Sequence, residues 1–261
     1  MSTYMSMNTF LSNLNELQNL LNQLYSNGEY SQKERAEAIC SLIRHKVYNT
    51  PKWNAAAGLI NTNFCNYVKS QNPNLFEIMS QTDLVVTDYL GQEIDVPHWA
   101  ATIDGYLSIS PIKDEWNGWA GDLGSLIQKI QQMTNNSQDY NWIINVAKNH
   151  FLYSGSVFSK QDLVSDIDAE NIVNRINLSP SSNFSQVVSS YYNSGYSKRY
   201  TEFVGRRDGS TYFMGNIMRI MNDPYLYAAL DITTPPPTSD QIYAVTGVFT
   251  THILDLMRQG L

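Results

Sequence analysis

The side chains in this sequence best placed to move protons are a histidine and a few aspartates that share helix faces with apolar or small residues. On a helix over residues 95–107, drawn at about 100° per residue, Trp99, Ile103 and Tyr106 form a bulky apolar face. His98, Ala101, Thr102 and Gly105 share the adjoining face, which is small apart from the imidazole. Small residues let a second helix or a ligand come close, so His98 is expected at the edge of a tight groove or cleft. Asp95, three residues earlier, suits two roles. It can cap the helix start, or it can orient the imidazole as a carboxylate beside a catalytic histidine does.

Two further carboxylates stand out. Asp122 lies between Trp119 and Leu126 on one side of its helix, in the string Trp119-Ala120-Gly121-Asp122-Leu123. Asp168 falls between Val164 and Ile172, in the apolar sector with Leu163 and Ile167. An unpaired buried charge costs several kcal/mol, so Asp168 calls for a partner: His98, Arg175, Arg199 or a second acid. Asp162, Asp166 and Glu170, at i, i+4 and i+8, are expected to form a solvated acidic face instead. If His98, Asp122 and Asp168 converge, they make a polar pocket between helices. Carboxylates with shifted pKa values would then do acid–base work, as in glycan hydrolysis. The competing expectation is a satisfied core network that fixes helix register. Trp99, Trp116, Trp119 and Arg199 are the candidate substrate contacts, because aromatic faces stack on the apolar faces of sugar rings.

Other chemistry is poorly supplied. No GxSxG, HExxH, Walker or GxGxxG motif is present. The four histidines, His45, His98, His150 and His252, lack ligand spacing, and Cys40 and Cys65 form no CxxC. No metal and no cofactor are expected. The two thiols read as small core hydrophobes. Gly205-Arg206-Arg207-Asp208-Gly209 reads as a turn that needs no ligand, and Tyr191, Tyr192, Tyr196, Arg199 and Tyr200 as an aromatic-basic cluster covering a helix seam.

The elements that must hold these residues follow from apolar spacing. Phe10, Leu14, Leu17, Leu21 and Leu24 make one narrow stripe on a first helix. Ser31 and Glu34 form a capping box for a second. Thr50-Pro51 and Asn72-Pro73 mark boundaries around a third, and 74–90 reads as either strand or helix. Helices follow at about 95–107, 119–130, 142–151, 159–176, 184–193, 196–205 and 213–221, and Ser239 is expected to cap a last one. A short hairpin between 203 and 213 is the alternative to a turn there. The fold class expected is a compact all-α domain of roughly ten helices over 1–261, with Ser179-Pro180-Ser181-Ser182-Asn183 as a weak internal boundary.

Composition narrows the function classes. Only 16% of residues are charged, against about 25% in typical domains, and 26 Asn and 26 Ser take up the difference. The 43% apolar content argues against disorder. A net charge of −7 argues against nucleic acid, which is held by clustered Lys and Arg. No basic n-region with an apolar run opens the chain, and no apolar run approaches the roughly 20 residues that span a bilayer. The expectation is a soluble cytoplasmic protein, with export by a route that reads no cleaved signal left open. Two functions compete. One is a hydrolase with a polar inter-helical pocket, acting on a glycan, a cell-wall polymer or a small polar substrate through His98, Asp95, Asp122 and Asp168. The other is a non-catalytic interaction or structural protein that pairs its N-terminal helix with a partner.

Overall fold

The computed structural model of the protein describes residues 2–25, 29–48, 59–107, 144–145, 148, 160–195 and 238–258. Helices dominate these residues, joined by a small three-stranded sheet. The chain divides into two compact units. One comprises Met1–Lys113 and Gln161–Arg199, the other Asp114–Lys160 and Tyr200–Leu261.

The first unit opens with strand β1 (Thr3–Ser6) and helix α1 (Met7–Leu24). Ser6 starts α1 by accepting the Thr9 N–H at 3.2 Å. The expected stripe is core: Phe10, Leu14, Leu17 and Leu21 are all buried. That face of α1 packs into the core of its own unit. Helix α2 (Gln32–Ile43) begins with the capping box read from sequence. Ser31 Oγ accepts the Glu34 N–H at 3.2 Å, and Ser31 N–H donates to Glu34 Oε2 at 2.9 Å. Buried Arg35 ties the α1–α2 connection by donating to the carbonyls of Tyr30 and Tyr25 and to Asn22 Oδ1. Next come α3 (His45–Tyr48), α4 (Leu59–Gln71) and α5 (Pro73–Met79). Asn72 caps α5, accepting the Leu75 N–H at 3.1 Å, with Pro73 in the first turn, where its missing N–H costs nothing.

Strands β2 (Leu84–Thr87) and β3 (Glu93–Asp95) complete the sheet. Central β2 pairs parallel with β1 and antiparallel with β3. The β2–β3 turn is held by Asp88, whose carboxylate accepts the N–H groups of Leu90 and Gln92. Gly91 sits at φ +76°, a left-handed position that favours glycine. Helix α6 (Val96–Leu107) starts at the residue after β3, so the hairpin delivers Asp95 to the head of α6. Helices α7 (Lys160–Leu178) and α8 (Phe184–Ser190) follow, then a π-helical turn, Tyr191–Gly195. The expected boundary at 179–183 is a short turn inside this unit, and Asn183 caps α8 there. In the second unit the described element is α9 (Ser239–Arg258), with Ile242, Ala244 and Val245 buried. Its cap is Thr238 rather than Ser239, accepting the Gln241 N–H at 3.2 Å.

The all-α expectation is therefore corrected to a helix-dominated fold with a small mixed sheet. Fewer than ten α-helices fall among the described residues. Strands of three and four residues are too short to show a period of two. The ambiguous stretch 74–90 holds both answers, helix α5 and strand β2. The segments around Trp53, 119–130 and 196–221, with the alternative hairpin at 203–213, lie outside the described residues.

The core of the first unit is keyed by Trp99, which is fully buried. Phe10 meets it edge-on at 5.6 Å between ring centroids, and Phe184 lies tilted against it at 6.1 Å. Leu14, with no exposure, fills the same core from α1. Leu14→Ala is expected to cost about 2–5 kcal/mol in urea unfolding. Leu178→Ser, at a position 82% exposed, should stay within about 0.5 kcal/mol of the parent.

Candidate functional site

His98 stands one turn below Thr102 on α6, and both side chains reach the same carboxylate on α7. His98 Nε2 lies 2.9 Å from Asp166 Oδ1, and the Thr102 hydroxyl donates to that oxygen at 2.9 Å. The small face read from sequence is thus the face that meets α7. The imidazole remains 16% exposed while the Asp166 side chain is 4% exposed. A carboxylate can stay this dry only when its charge is answered, and here an imidazole and a hydroxyl answer it.

Asp95 uses its carboxylate on the backbone. Its Oδ1 accepts the His98 N–H at 2.9 Å, which caps α6 and satisfies one of its free first-turn donors. Burial pushes the Asp95 carboxyl above its ordinary range. The His98 N–H bond and the His98 charge oppose that shift, and the nearby charges of Asp162 and Asp166 add to it. The Asp95 N–H donates to Ser165 Oγ at 2.9 Å, and Ser165 in turn donates to the Gln161 carbonyl at 2.8 Å. This chain sets the register of the α6 head on α7, one residue before Asp166.

Asp168 is fully buried, in keeping with its place between Val164 and Ile172. It lies about 200° around the helix from Asp166, because two residues make just over half a turn. Tyr191 donates to its Oδ1 at 2.5 Å and Tyr192 to its Oδ2 at 3.1 Å. Asn171 Nδ2 donates to the Tyr191 oxygen at 3.2 Å, and the Arg175 guanidinium lies over the Tyr191 ring at 5.3 Å. Consecutive tyrosines reach one carboxylate from the π-helical turn, whose wider winding brings neighbouring side chains closer in angle.

The structure corrects several expectations. Asp162, Asp166 and Glu170 are not a solvated face: Asp166 and Glu170 are buried and Asp162 is half-buried. The reason is that α6 covers this side of α7 and brings His98 and Thr102 to it. Trp99 is core, without exposed ring surface for a substrate. The described hydrogen bonds of Asp168 come from tyrosines, not from His98 or a second acid, so His98 and Asp168 face opposite sides of α7. Asp122, Trp116, Trp119 and Arg199 lie outside the described residues. Cys40 is buried, Cys65 is half-buried and both are free thiols. Among the described residues no group of three or more His, Cys, Asp or Glu is placed to hold a metal, and no helix is long and apolar enough to cross a membrane.

Sequence reasoning missed Asp166. The signal was present as His98 and Thr102, two polar residues four apart on an otherwise small face, which together require a polar partner. A protein-family model described as "YkzU uncharacterised protein" matches residues 100–259, more than half of the chain. The chain belongs to that family. Thr102, Asp166, Asp168, Tyr191 and Tyr192 lie inside the match, whereas Asp95 and His98 precede it. No curated protein and no solved structure matches the chain.

The Asp168 network makes a stability prediction. Tyr192→Phe removes one donor from a buried carboxylate and is expected to cost about 1.5–3 kcal/mol, the range for hydrogen bonds to charged groups. Urea unfolding measures it, and a change within 0.5 kcal/mol would show that the hydroxyl does not answer the Asp168 charge.

Proposed function

We propose that this protein is a hydrolase in which His98 is the acid–base group and Asp166 holds it. One observation carries the reading: a partly exposed imidazole has its Nε2 bound to a buried carboxylate. With Nε2–H donating to the Asp166 carboxylate, the ring lone pair lies on Nδ1, the nitrogen that would take a proton from water. Asp166 then stabilises the imidazolium that forms, and Thr102 fixes the carboxylate's direction. Asp95 acts through the backbone of His98, as a positioning residue. Asp122 remains in the proposal as a second acid. The proposed substrate is a glycan or cell-wall polymer, supported by 17 Tyr and 5 Trp in a chain with few charges. The proposed setting is the cytoplasm.

A second reading has its own support. The same Asp166 contacts would serve a non-catalytic protein by locking α6 to α7, and the near-complete burial of Asp166 favours that role.

The two readings differ in what His98→Gln does. With purified protein and a panel of polysaccharides, peptidoglycan and chromogenic glycosides and esters, the hydrolase reading expects turnover that falls about 10²–10⁴-fold in His98→Gln. Because the Gln side-chain amide still offers an N–H to Asp166, the melting transition should stay near that of the parent. Asp166→Asn should lose activity, and imidazole 15N shifts should show the Nε2–H form of His98 giving way to a mixture. A parent protein inert on the whole panel, or a fully active His98→Gln, would leave the locking role standing.

A further inference from the structure

The two edges of the small sheet are built differently. On β3, the Asp88 N–H donates to the Gln92 carbonyl and Ile94 pairs with Val86, so the backbone groups of Glu93 and Asp95 turn away from β2. That edge carries two carboxylates, and its Asp95 N–H is taken by Ser165 Oγ. Charge and a covering side chain are what keep a further strand off an edge. The β1 edge has neither. The Thr3 N–H donates to the Asp83 carbonyl at 2.9 Å, and Tyr4 is in register with Val85. Backbone groups alternate sides along a strand, so Thr3 and Met5 bond to β2 while Tyr4 and Ser6 turn theirs outward. Thr3, Tyr4 and Ser6 are exposed, Tyr4 by 61%. Among the described residues no strand lies on that side. No proline and no charged residue occurs before Glu16.

The bare edge is also held in place. Met5 packs partly buried against the core and accepts from Asn13 Nδ2 at 3.6 Å, while Ser6 caps α1. The strand is therefore ordered before anything pairs with it, which lowers the cost of pairing.

We propose that β1 is a self-association edge, on which a second copy of this chain adds its own β1 antiparallel about a two-fold axis at Tyr4. The outward groups are self-complementary in that arrangement. The Tyr4 N–H of each copy donates to the Tyr4 carbonyl of the other, and the Ser6 N–H of each donates to the Ser2 carbonyl of the other. The two Tyr4 side chains then stand opposite each other on one face, as a cross-strand aromatic pair. Charge selects a second copy as the occupant. At a net −7, two copies repel wherever their acidic surfaces meet, and residues 2–15 are a stretch without charge where they can approach. The pairing joins two three-stranded sheets into one. The contact is short, so the dimer is weak and forms in the micromolar to millimolar range. This edge does not rest on the hydrolase reading.

Sedimentation equilibrium of the full chain from about 10 μM to about 1 mM tests it, and the mass should climb toward that of a dimer. Residue-resolved amide exchange across the same range gives the register. The Tyr4 and Ser6 amides should slow about two- to five-fold at the high end, as the free fraction falls, while Thr3 and Met5 stay unchanged. Tyr4→Pro removes the outward N–H and spares the bonds to β2, since proline is tolerated on an edge strand when its nitrogen faces solvent. It should be monomeric throughout. If that variant fails to fold, Tyr4→Lys takes its place with the same expected result, because it sets like charges opposite each other. A parent that stays monomeric at about 1 mM, or a dimer that persists in the folded Tyr4 variant, would overturn the proposal. So would slowing that spares the Tyr4 and Ser6 amides.

Discussion

The structure depends on answering buried carboxylates in a chain that carries few charges. Asp104, Asp166 and Asp168 are all dry, and each is answered differently. Asp104 takes a guanidinium, Asp166 an imidazole and a hydroxyl, and Asp168 two phenols. Removing the ionic partner of a buried pair such as Arg44–Asp104 costs about 3–5 kcal/mol, and removing one neutral donor from a buried carboxylate about 1.5–3 kcal/mol. Three stranded charges would exceed half of a typical domain's net stability of about 5–15 kcal/mol. The positions of α2, α6, α7 and the π-helical turn are thus fixed by polar matching as well as by the apolar core. Apolar contacts alone would let α6 slide or rotate. With Asp104 on one side and His98 and Thr102 on the other, a quarter-turn of α6 would break both sets of bonds.

Helix α6 also shows how the small sheet serves the rest. Strand β3 ends at Asp95, and its pairing with β2 fixes where that residue sits. Asp95 then caps α6 through its carboxylate and holds Ser165 of α7 through its N–H. A three-residue strand therefore sets the axial position of α6 against α7, and with it the distance from His98 to Asp166. Ordinary helix capping and a hairpin register are enough to place a histidine beside a carboxylate 68 residues further along the chain.

Much of this was legible in the sequence, for physical reasons that differ between residues. Capping at Ser31 and Asp95 and the boundary at Asn72-Pro73 are local chemistry, decided within four residues, and could be read directly. The burial of Phe10, Leu14, Leu17 and Leu21 followed from a period that only a helix buried on one side produces. The inward aim of His98 and Asp168 came from the same wheel. Their partners did not, because a wheel gives the angle of a side chain and not the element across from it. Asp166 was misread for a related reason. An acidic run at i, i+4 and i+8 looks solvated when the helix is drawn alone, and becomes buried once α6 lies over it. Tyr191 and Tyr192 were visible as aromatic cover, but a π-helical turn that aims both hydroxyls at one carboxylate leaves no periodic trace.

The family match places these pairings in a particular relation to the chain. It begins at Ala100, inside α6, so Asp104 and Asp166 both lie within it while Arg44 and His98 lie before it. The charged or titratable partner of each acid is thus supplied by the first 99 residues, across the same helix that the match divides. Asp168 differs, since Tyr191 and Tyr192 fall inside the matched stretch with it. Of these three acids, Asp168 has both of its described phenol donors within the family region, whereas Asp104 and Asp166 each draw a partner from the segment that precedes it. A stretch beginning at Ala100 would keep the Asp168 network and strand Asp104 with no guanidinium. It would leave Asp166 with the Thr102 hydroxyl and no imidazole, and it would lose the α6 cap at Asp95 as well. The contacts of α6 thus join residues on both sides of the point where the match begins.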